Sequence, residues 1–461
     1  MNIARKLFLH LTLVISLSVN LFSQNGIKSF AEDVKNETSR AWEAYSKYAW
    51  GHDELLPLTK ASSDWYDEPL YISPIDAYST LKIMGFDKQA ERIEKFVCDS
   101  LSFDKDIYVK TFEVNIRILG GLLSMYDFTG NEKVLKKAEE FAERILPAFD
   151  TPSGMPYYYV NLKTGKVKGD TICAAEAGSY LIEMGVLSYY TNNPKYYQAA
   201  KKSTECVYHN RSAIGLIGRD YDVTTGLTID RQSRVGCYVD SYYEYLYKAW
   251  LLFGDNDLKE MWDNSIKSVN KYIAVETDST LWYGISDTQT GEISSSRVTL
   301  YDAYFPALLY YSGNKDKAIK SLKTWNKLWS KNGLIPGGYD FASDKITSPG
   351  YYLNPELIES TYYIWFFTKD PQYLEMIKEY YSDIKKYCRT DIAYTHIKNV
   401  VDKEQLDELA TFFFAETMKY FYLSFTTESE YNLNNYVFTT EAHPFKISNF
   451  DKQIAKTRLG F

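Results

Sequence analysis

Six short turn signals recur along the chain, and they limit its fold more than any other feature. They are Met84-Gly85-Phe86-Asp87, Thr129-Gly130-Asn131, Thr191-Asn192-Asn193, Phe253-Gly254-Asp255, Ser312-Gly313-Asn314 and Thr368-Lys369-Asp370, spaced 45 to 62 residues apart. Glycine or asparagine supplies a left-handed C-cap, and the Asn or Asp just after it caps the next helix. An interval of this size holds two helices and their loops. Between the turns apolar residues fall at helical period, as in Val134, Leu135, Ala138, Phe141, Ala142 and Ile145. The opposite ends of the helix pairs carry long loops rich in Pro, Gly and Tyr, such as those from Phe149 to Gly169, Asn210 to Val235 and Gly333 to Tyr352. Short turns at one end and long loops at the other describe an all-α closed ring of helical hairpins, with a flat superhelical solenoid as the competing architecture. A seventh pair falls near one end of the chain or the other.

The 461 residues show no linker or low-complexity break, so residues 25–446 read as one domain, followed by a tail over 447–461. A 45% hydrophobic content fills a large core, and 42 tyrosines fit either packed helices whose ends reach water or sugar-stacking surfaces. With a net charge of −8 and no basic run, nucleic acid is set aside as a partner, and neutral ligands or cations are favoured. Residues 1–24 read as a cleaved signal peptide: Arg5 and Lys6, an apolar run from Leu7 to Leu21, then the small Ser23. That predicts a periplasmic or extracellular protein, free of the membrane after cleavage. Five scattered cysteines without Cys-x-x-Cys spacing argue against zinc. The five histidines show no metal spacing, and His52 and His443 read as structural hydrogen-bonders. No phosphate loop or nucleophile elbow occurs.

Four acids keep a fixed relation to the turns. Glu113 lies 17 residues before Gly130, Glu176 16 before Asn192, Asp240 14 before Gly254 and Glu356 13 before Lys369. At about 1.5 Å per residue each stands roughly one helix length from its turn, at the end where the long loops gather. An acid in a first helical turn often does no more than offset the helix dipole, and that account competes for each taken singly. Their aromatic and apolar neighbours favour chemistry, because partial burial raises a carboxyl's proton affinity and suits a general acid. Two acids across a sugar-sized cleft are the arrangement of glycoside hydrolysis. Near the far end, Thr439-Thr440-Glu441-Ala442-His443 offers a hydroxyl, a carbonyl and a charge to a hard cation, with a surface hairpin as the alternative.

The segments Tyr48-Ala-Trp-Gly-His-Asp-Glu-Leu55, Ser73-Pro-Ile-Asp-Ala77, Phe112-Glu-Val-Asn-Ile-Arg-Ile-Leu-Gly-Gly-Leu122, Asp240-Ser-Tyr-Tyr-Glu-Tyr245, Pro355-Glu-Leu-Ile-Glu-Ser360, Ala415-Glu-Thr-Met-Lys-Tyr420 and Thr440-Glu-Ala-His-Pro444 resemble glycoside hydrolase family 47. These are the class I α-1,2-mannosidases, and the likeness runs in order over nearly the whole chain. It implies an (α/α)7 toroidal barrel with a small C-terminal β-hairpin at its floor, a calcium ion there, and inverting hydrolysis of terminal α-1,2-linked mannose from mannan or high-mannose glycans. Position by position, Glu113 matches the family's general acid, Glu356 its general base and Asp240 a third essential carboxylate. Thr440 matches the Ca2+ ligand, through hydroxyl and carbonyl with water completing the shell. Arg117, Glu176, Glu359, Phe412, Glu416 and Glu441 match positions around the mannose and the metal's water. There are departures: Asn354 and Tyr238 stand where arginines are common, Ala410 replaces a glutamate, and a histidine near Leu300 is absent. The pattern is more similar to bacterial and ER-degradation-type members than to Golgi trimming enzymes. A mannoside-binding or glycoprotein-handling protein with little turnover is the rival expectation, and a barrel glycosidase acting on another sugar is a third.

Overall fold

Gly85, Gly130, Asn192, Gly254, Gly313 and Lys369, at the six turn signals, all take positive φ, between 53° and 98°. The next helix is then capped where Asn131, Asp255 and Asp370 accept the backbone N–H two residues on. Three turns differ from the expected pattern. Asn193 stands one residue outside the N-cap Pro194, and its Oδ1 takes the Lys195 N–H at 3.4 Å. Asp87 enters its helix as the first residue and pairs with Lys82 at 2.5 Å instead of capping. The amide of Asn314 turns to Ser312 Oγ at 3.5 Å.

The computed structural model describes residues 26–426 and 428–461; the expected signal segment, residues 1–24, lies outside them. Among the described residues, seven helices face inward. They are α2 (Ile72–Ile83), α4 (Thr111–Val114, Asn115–Leu119 and Gly120–Thr129 run together), α6 (Ala174–Gly178 and Leu181–Thr191), α8 (Asp240–Phe253), α10 (Phe305–Tyr311, led by a 3-10 turn Leu300–Tyr304), α12 (Glu356–Thr368) and α14 (Phe413–Thr417 and Met418–Phe425). Seven others form the outer wall: α1 (residues 26–48), α3 (Asp87–Asp99), α5 (Glu132–Ile145), α7 (Lys195–His209), α9 (Asn256–Tyr272), α11 (Lys315–Asn332) and α13 (Pro371–Tyr387). The two sets differ as their positions require. Every residue of α2 except Lys82 is buried, whereas α5 buries a single stripe from Val134 to Ile145.

Each inner helix touches the next, and α14 packs back on α2, so the ring closes as an (α/α)7 barrel and not a solenoid. Thr80 Oγ1 donates to Ala415 O across this seam at 3.2 Å. The seventh pair takes one helix from each end of the chain: α1 lies on α14 through Phe30 against Phe425 (5.0 Å) and Trp42 against Phe414 (5.5 Å). Strands are two to four residues long and confined to the loops.

The last antiparallel hairpin, Tyr436–Phe438 with Pro444–Lys446, plugs the barrel against α4 and α8. Its turn reaches the axis because α4 is thinned there by glycine: a Cβ on Gly120 would stand 2.9 Å from the His443 ring. Beyond the hairpin, α15 (Lys452–Leu459) buries Ala455 and Leu459 against α6, α7 and α8. Among the described residues no helix is long and apolar enough to cross a membrane.

Candidate active site

The loop-rich end of the barrel opens into a cavity of about 280 Å³ that runs down the axis toward the hairpin turn. Glu113, Arg117, Glu176, Asp240, Glu356, Glu359, Phe412, Glu416, Thr440 and Glu441, the ten residues singled out from sequence, all line it. They come from α4, α6, α8, α12, α14 and the hairpin turn. Two arrive on π turns, Arg117 within Asn115–Leu119 and Glu416 within Phe413–Thr417. Such single wide turns often mark functional positions, because they rotate side chains off the regular helical stripe.

Glu113 sits one turn above Arg117, whose Nε donates to Glu113 Oε2 at 3.1 Å. The same guanidinium reaches Glu441 Oε2 at 2.6 Å, Thr411 Oγ1 at 3.3 Å and Asp76 Oδ2 at 3.5 Å. Its carbon lies 5.1 Å from the Trp65 ring and 5.9 Å from that of Phe412. One buried arginine thus ties together four segments of the chain, using its fixed fork of donors.

Glu356 opens α12. Asn354 Nδ2 donates to its Oε1 at 3.1 Å, while the buried Oε2 has no protein partner. Burial pushes this carboxyl up to about 8, with Glu359 and Asp240 adding repulsion. Asp240, first residue of α8, is pushed up to about 7 by burial and by the nearby Asp302 and Glu244; the Ser241 N–H at 2.9 Å partly offsets this. Glu176 performs the helix-end role that competed for it, accepting from Cys173 N at 2.9 Å, and still faces the cavity. Burial and the neighbouring Glu113 raise it too.

Deeper in, Glu359 is pushed up to about 7 by burial, against the opposing pull of Lys248. Glu416 and Glu441 are raised by burial and by facing other carboxylates, Glu441 despite Arg117. His443 is fully buried with Nε2 3.3 Å from Asp76 Oδ1, but neither ring nitrogen makes a hydrogen bond to the described residues, unlike the structural hydrogen-bonder expected; His52 Nδ1 does pair with Asp64 at 2.8 Å. Glu244, Tyr301, Cys173 and Cys237 also line the cavity without having been singled out. Glu244 was findable, since it follows Asp240 by one helical turn on the same face. Asp76, beneath Arg117, lay inside the segment Ser73 to Ala77 that carries the resemblance, with no spacing of its own to mark it out.

Residues 37–447 match the family model of glycosyl hydrolase family 47. Alpha-mannosidase I MNS5 of Arabidopsis thaliana is 32% identical over 487 residues, which cover 98% of this chain and 84% of the relative. ER degradation-enhancing alpha-mannosidase-like protein 2 of Homo sapiens is 32% identical over 450 residues, covering 90% and 77%. Among solved structures, the alpha-1,2-mannosidase from Trichoderma reesei superposes with a TM-score of 0.85 at 27% identity, over 91% of this chain and 99% of that one. A barrel of seven hairpins, an axial cavity walled by carboxylates and a family match across nearly all the described residues agree: the chain belongs to glycosyl hydrolase family 47.

Proposed function

We propose that the chain is a secreted, calcium-dependent exo-α-1,2-mannosidase that inverts the anomeric centre, acting on mannan or high-mannose glycans. The relatives' names point to the mannose linkage. The observation that carries the chemistry is Glu356: a carboxyl raised to about 8 with one oxygen unpartnered in the cavity that Glu113 also lines. A raised carboxylate is a stronger base near neutral pH. Glu356 takes a proton from water as that water's oxygen bonds to the anomeric carbon. The glycosidic bond breaks on the opposite side, and Glu113, oriented by Arg117, delivers a proton to the leaving oxygen. Asp240 supports the developing positive charge on the sugar ring.

Calcium fits the donor set. Glu113, Glu176, Asp240, Glu244, Glu356, Glu359, Glu416 and Glu441 line the cavity, and among the described residues Arg117 is the one cation lining it with them. Mutual repulsion among buried carboxylates is what a divalent ion relieves. No group of three His, Cys, Asp or Glu among the described residues is arranged to hold a metal. On the family resemblance, the ion's protein ligands would be the hydroxyl and carbonyl of Thr440, with water linking it to Glu359, Glu416 and Glu441. A bound calcium would supply a hard cation for sugar hydroxyls.

Export rests on Arg5, Lys6 and the apolar run from Leu7 to Leu21, and N-terminal sequencing of the mature protein near Ser23 checks it. The activity test is release of β-mannose from α-1,2-mannobiose, lost with chelator and restored by calcium. No release with calcium present overturns the proposal. Tight mannoside binding without release favours the rival, a glycan-handling family member, which Asn354 and Tyr238 in place of arginines support.

A further inference from the structure

Of the tryptophans, tyrosines and phenylalanines among the described residues, only two are exposed, Tyr238 at 48% and Tyr301 at 38%, and both line the cavity. Tyr301 lies on the 3-10 turn Leu300–Tyr304 that leads α10, and Tyr238 stands two residues ahead of Asp240, on the turn before α8. The proton transfers above use neither ring. Tyr238 also holds its backbone at φ 79°, a left-handed conformation that glycine adopts freely and a bulky side chain rarely does. Its turn is pinned on both sides. Val239 N and Asp240 N donate to Gly236 O at 2.9 and 3.1 Å, and Ala175 N of α6 donates to Tyr238 O at 2.9 Å. A Cβ on Gly236 would stand 1.8 Å from Asp302 Oδ2, so this turn is seated against the one that carries Tyr301. The guanidinium carbons of Arg219 and Arg234 lie 5.1 and 5.9 Å from the centre of the Tyr238 ring, and Asp220 and Asp230 brace Arg219 at 2.5 and 3.1 Å.

We propose that Tyr238 and Tyr301 form an aromatic platform for the sugar on the leaving side of the scissile bond, and that they bind it by the face of its ring. The cavity runs down the axis to the hairpin turn. An exo-acting site of that shape holds the terminal mannose at depth, and the rest of the glycan leaves through the mouth, where the two tyrosines stand. The C–H face of a pyranose covers an aromatic ring while its hydroxyls still reach water, and a half-open tyrosine at a rim suits that contact. The strain points the same way. Residues held in sparsely populated backbone conformations cluster at ligand sites. Glycine at position 238 would take the same turn without strain and would offer the ligand no ring.

The inference rests on the mannoside reading, and two probes separate them. Methyl α-mannoside offers the terminal ring alone. An S-linked α-1,2-mannobiose, in which sulfur replaces the glycosidic oxygen so that no turnover occurs, adds the leaving ring. Both are titrated by calorimetry with calcium present throughout. The wild type is expected to bind the disaccharide at least about tenfold more tightly than the monosaccharide. Tyr238→Ala and Tyr301→Ala should each weaken the disaccharide by about threefold or more and leave methyl α-mannoside within about twofold of the wild type. Tyr238→Phe and Tyr301→Phe keep the ring and should bind both probes as the wild type does. Tyr301 is the less exposed of the two; if its alanine variant does not fold, Tyr238→Ala decides alone. Tyr238→Gly should melt within about 2 °C of the wild type, and a larger fall marks a packing residue and overturns the role given to Tyr238. Alanine variants that weaken both probes equally, or neither, overturn the inference, as do phenylalanine variants that behave like the alanine ones. A wild type that binds methyl α-mannoside but gains nothing from the second ring overturns the inference and leaves the mannoside reading standing. One that binds neither probe overturns the mannoside reading and takes this inference with it.

Discussion

Replacing Arg117 by methionine removes the cation at the centre of the site while keeping most of the side-chain volume. In the native protein its guanidinium lies 3.1 Å from Glu113, 2.6 Å from Glu441 and 3.5 Å from Asp76, and only 8% of the residue is exposed. Breaking a buried ion pair from one side costs about 3–5 kcal/mol, because the partner is left charged in a desolvated place. Unfolding roughly 435 described residues at about 2.1 cal/mol/K each gives an entropy near 0.9 kcal/mol/K, so the melting temperature should fall by about 3–5 °C. The sign with pH is also fixed. Burial holds the Glu441 carboxyl above its ordinary range even with Arg117 beside it. A carboxyl raised in the native state loses stability as pH climbs above its unfolded value of about 4.3. Losing the guanidinium raises it further and widens that loss. Calorimetric melts should therefore show a small gap between variant and wild type at pH 4 and the full gap at pH 8. A gap under about 1 °C at pH 8, or one that does not change with pH, refutes the reasoning.

Glu113→Gln and Glu356→Gln should each lower turnover of α-1,2-mannobiose by at least about 100-fold, since each removes a group placed to move a proton; a near-native rate in either removes that residue from the mechanism. Gly121→Ala should destabilise by about 1–3 kcal/mol in denaturant melts, because its Cβ would stand 2.6 Å from Ile75 Cγ2 and 2.8 Å from Ile75 O. Glu183, buried beside Tyr245 and Asn115, is pushed up to about 8, chiefly by burial, so it is protonated at pH 6 and penalises the fold as pH rises. Glu183→Gln should accordingly lose about 1 kcal/mol or less at pH 6, and the difference should shrink or reverse by pH 9; a deficit that grows with pH speaks against a protonated Glu183.

The hairpin frame was legible because it rests on short-range rules. A glycine, an asparagine or a lysine ending a helix at positive φ, and an apolar stripe recurring at helical period, act over a few residues and survive in the bare sequence. The same rules put Glu113, Glu176, Asp240 and Glu356 one helix length from their turns, and so at one rim. They favoured a closed ring over a solenoid but did not say which helices join to close it. The seventh pair joins α1 to α14 from opposite ends of the chain, and only burial of Phe30 and Trp42 against Phe425 and Phe414 selects that partner.

What the sequence alone determined, then, was the succession of helical hairpins and the rim on which the acids stand. The tertiary structure decided what those acids are chemically. Asp240 and Glu356 are raised because distant segments strip away their water, and Arg117 meets Glu441 across 324 residues of chain. Lys248, in contact with Glu244 on α8, gains Glu359 as a second partner only once α8 and α12 lie side by side. Charge interactions depend on the surrounding dielectric and on distance in space. Neither is written in the local order of residues.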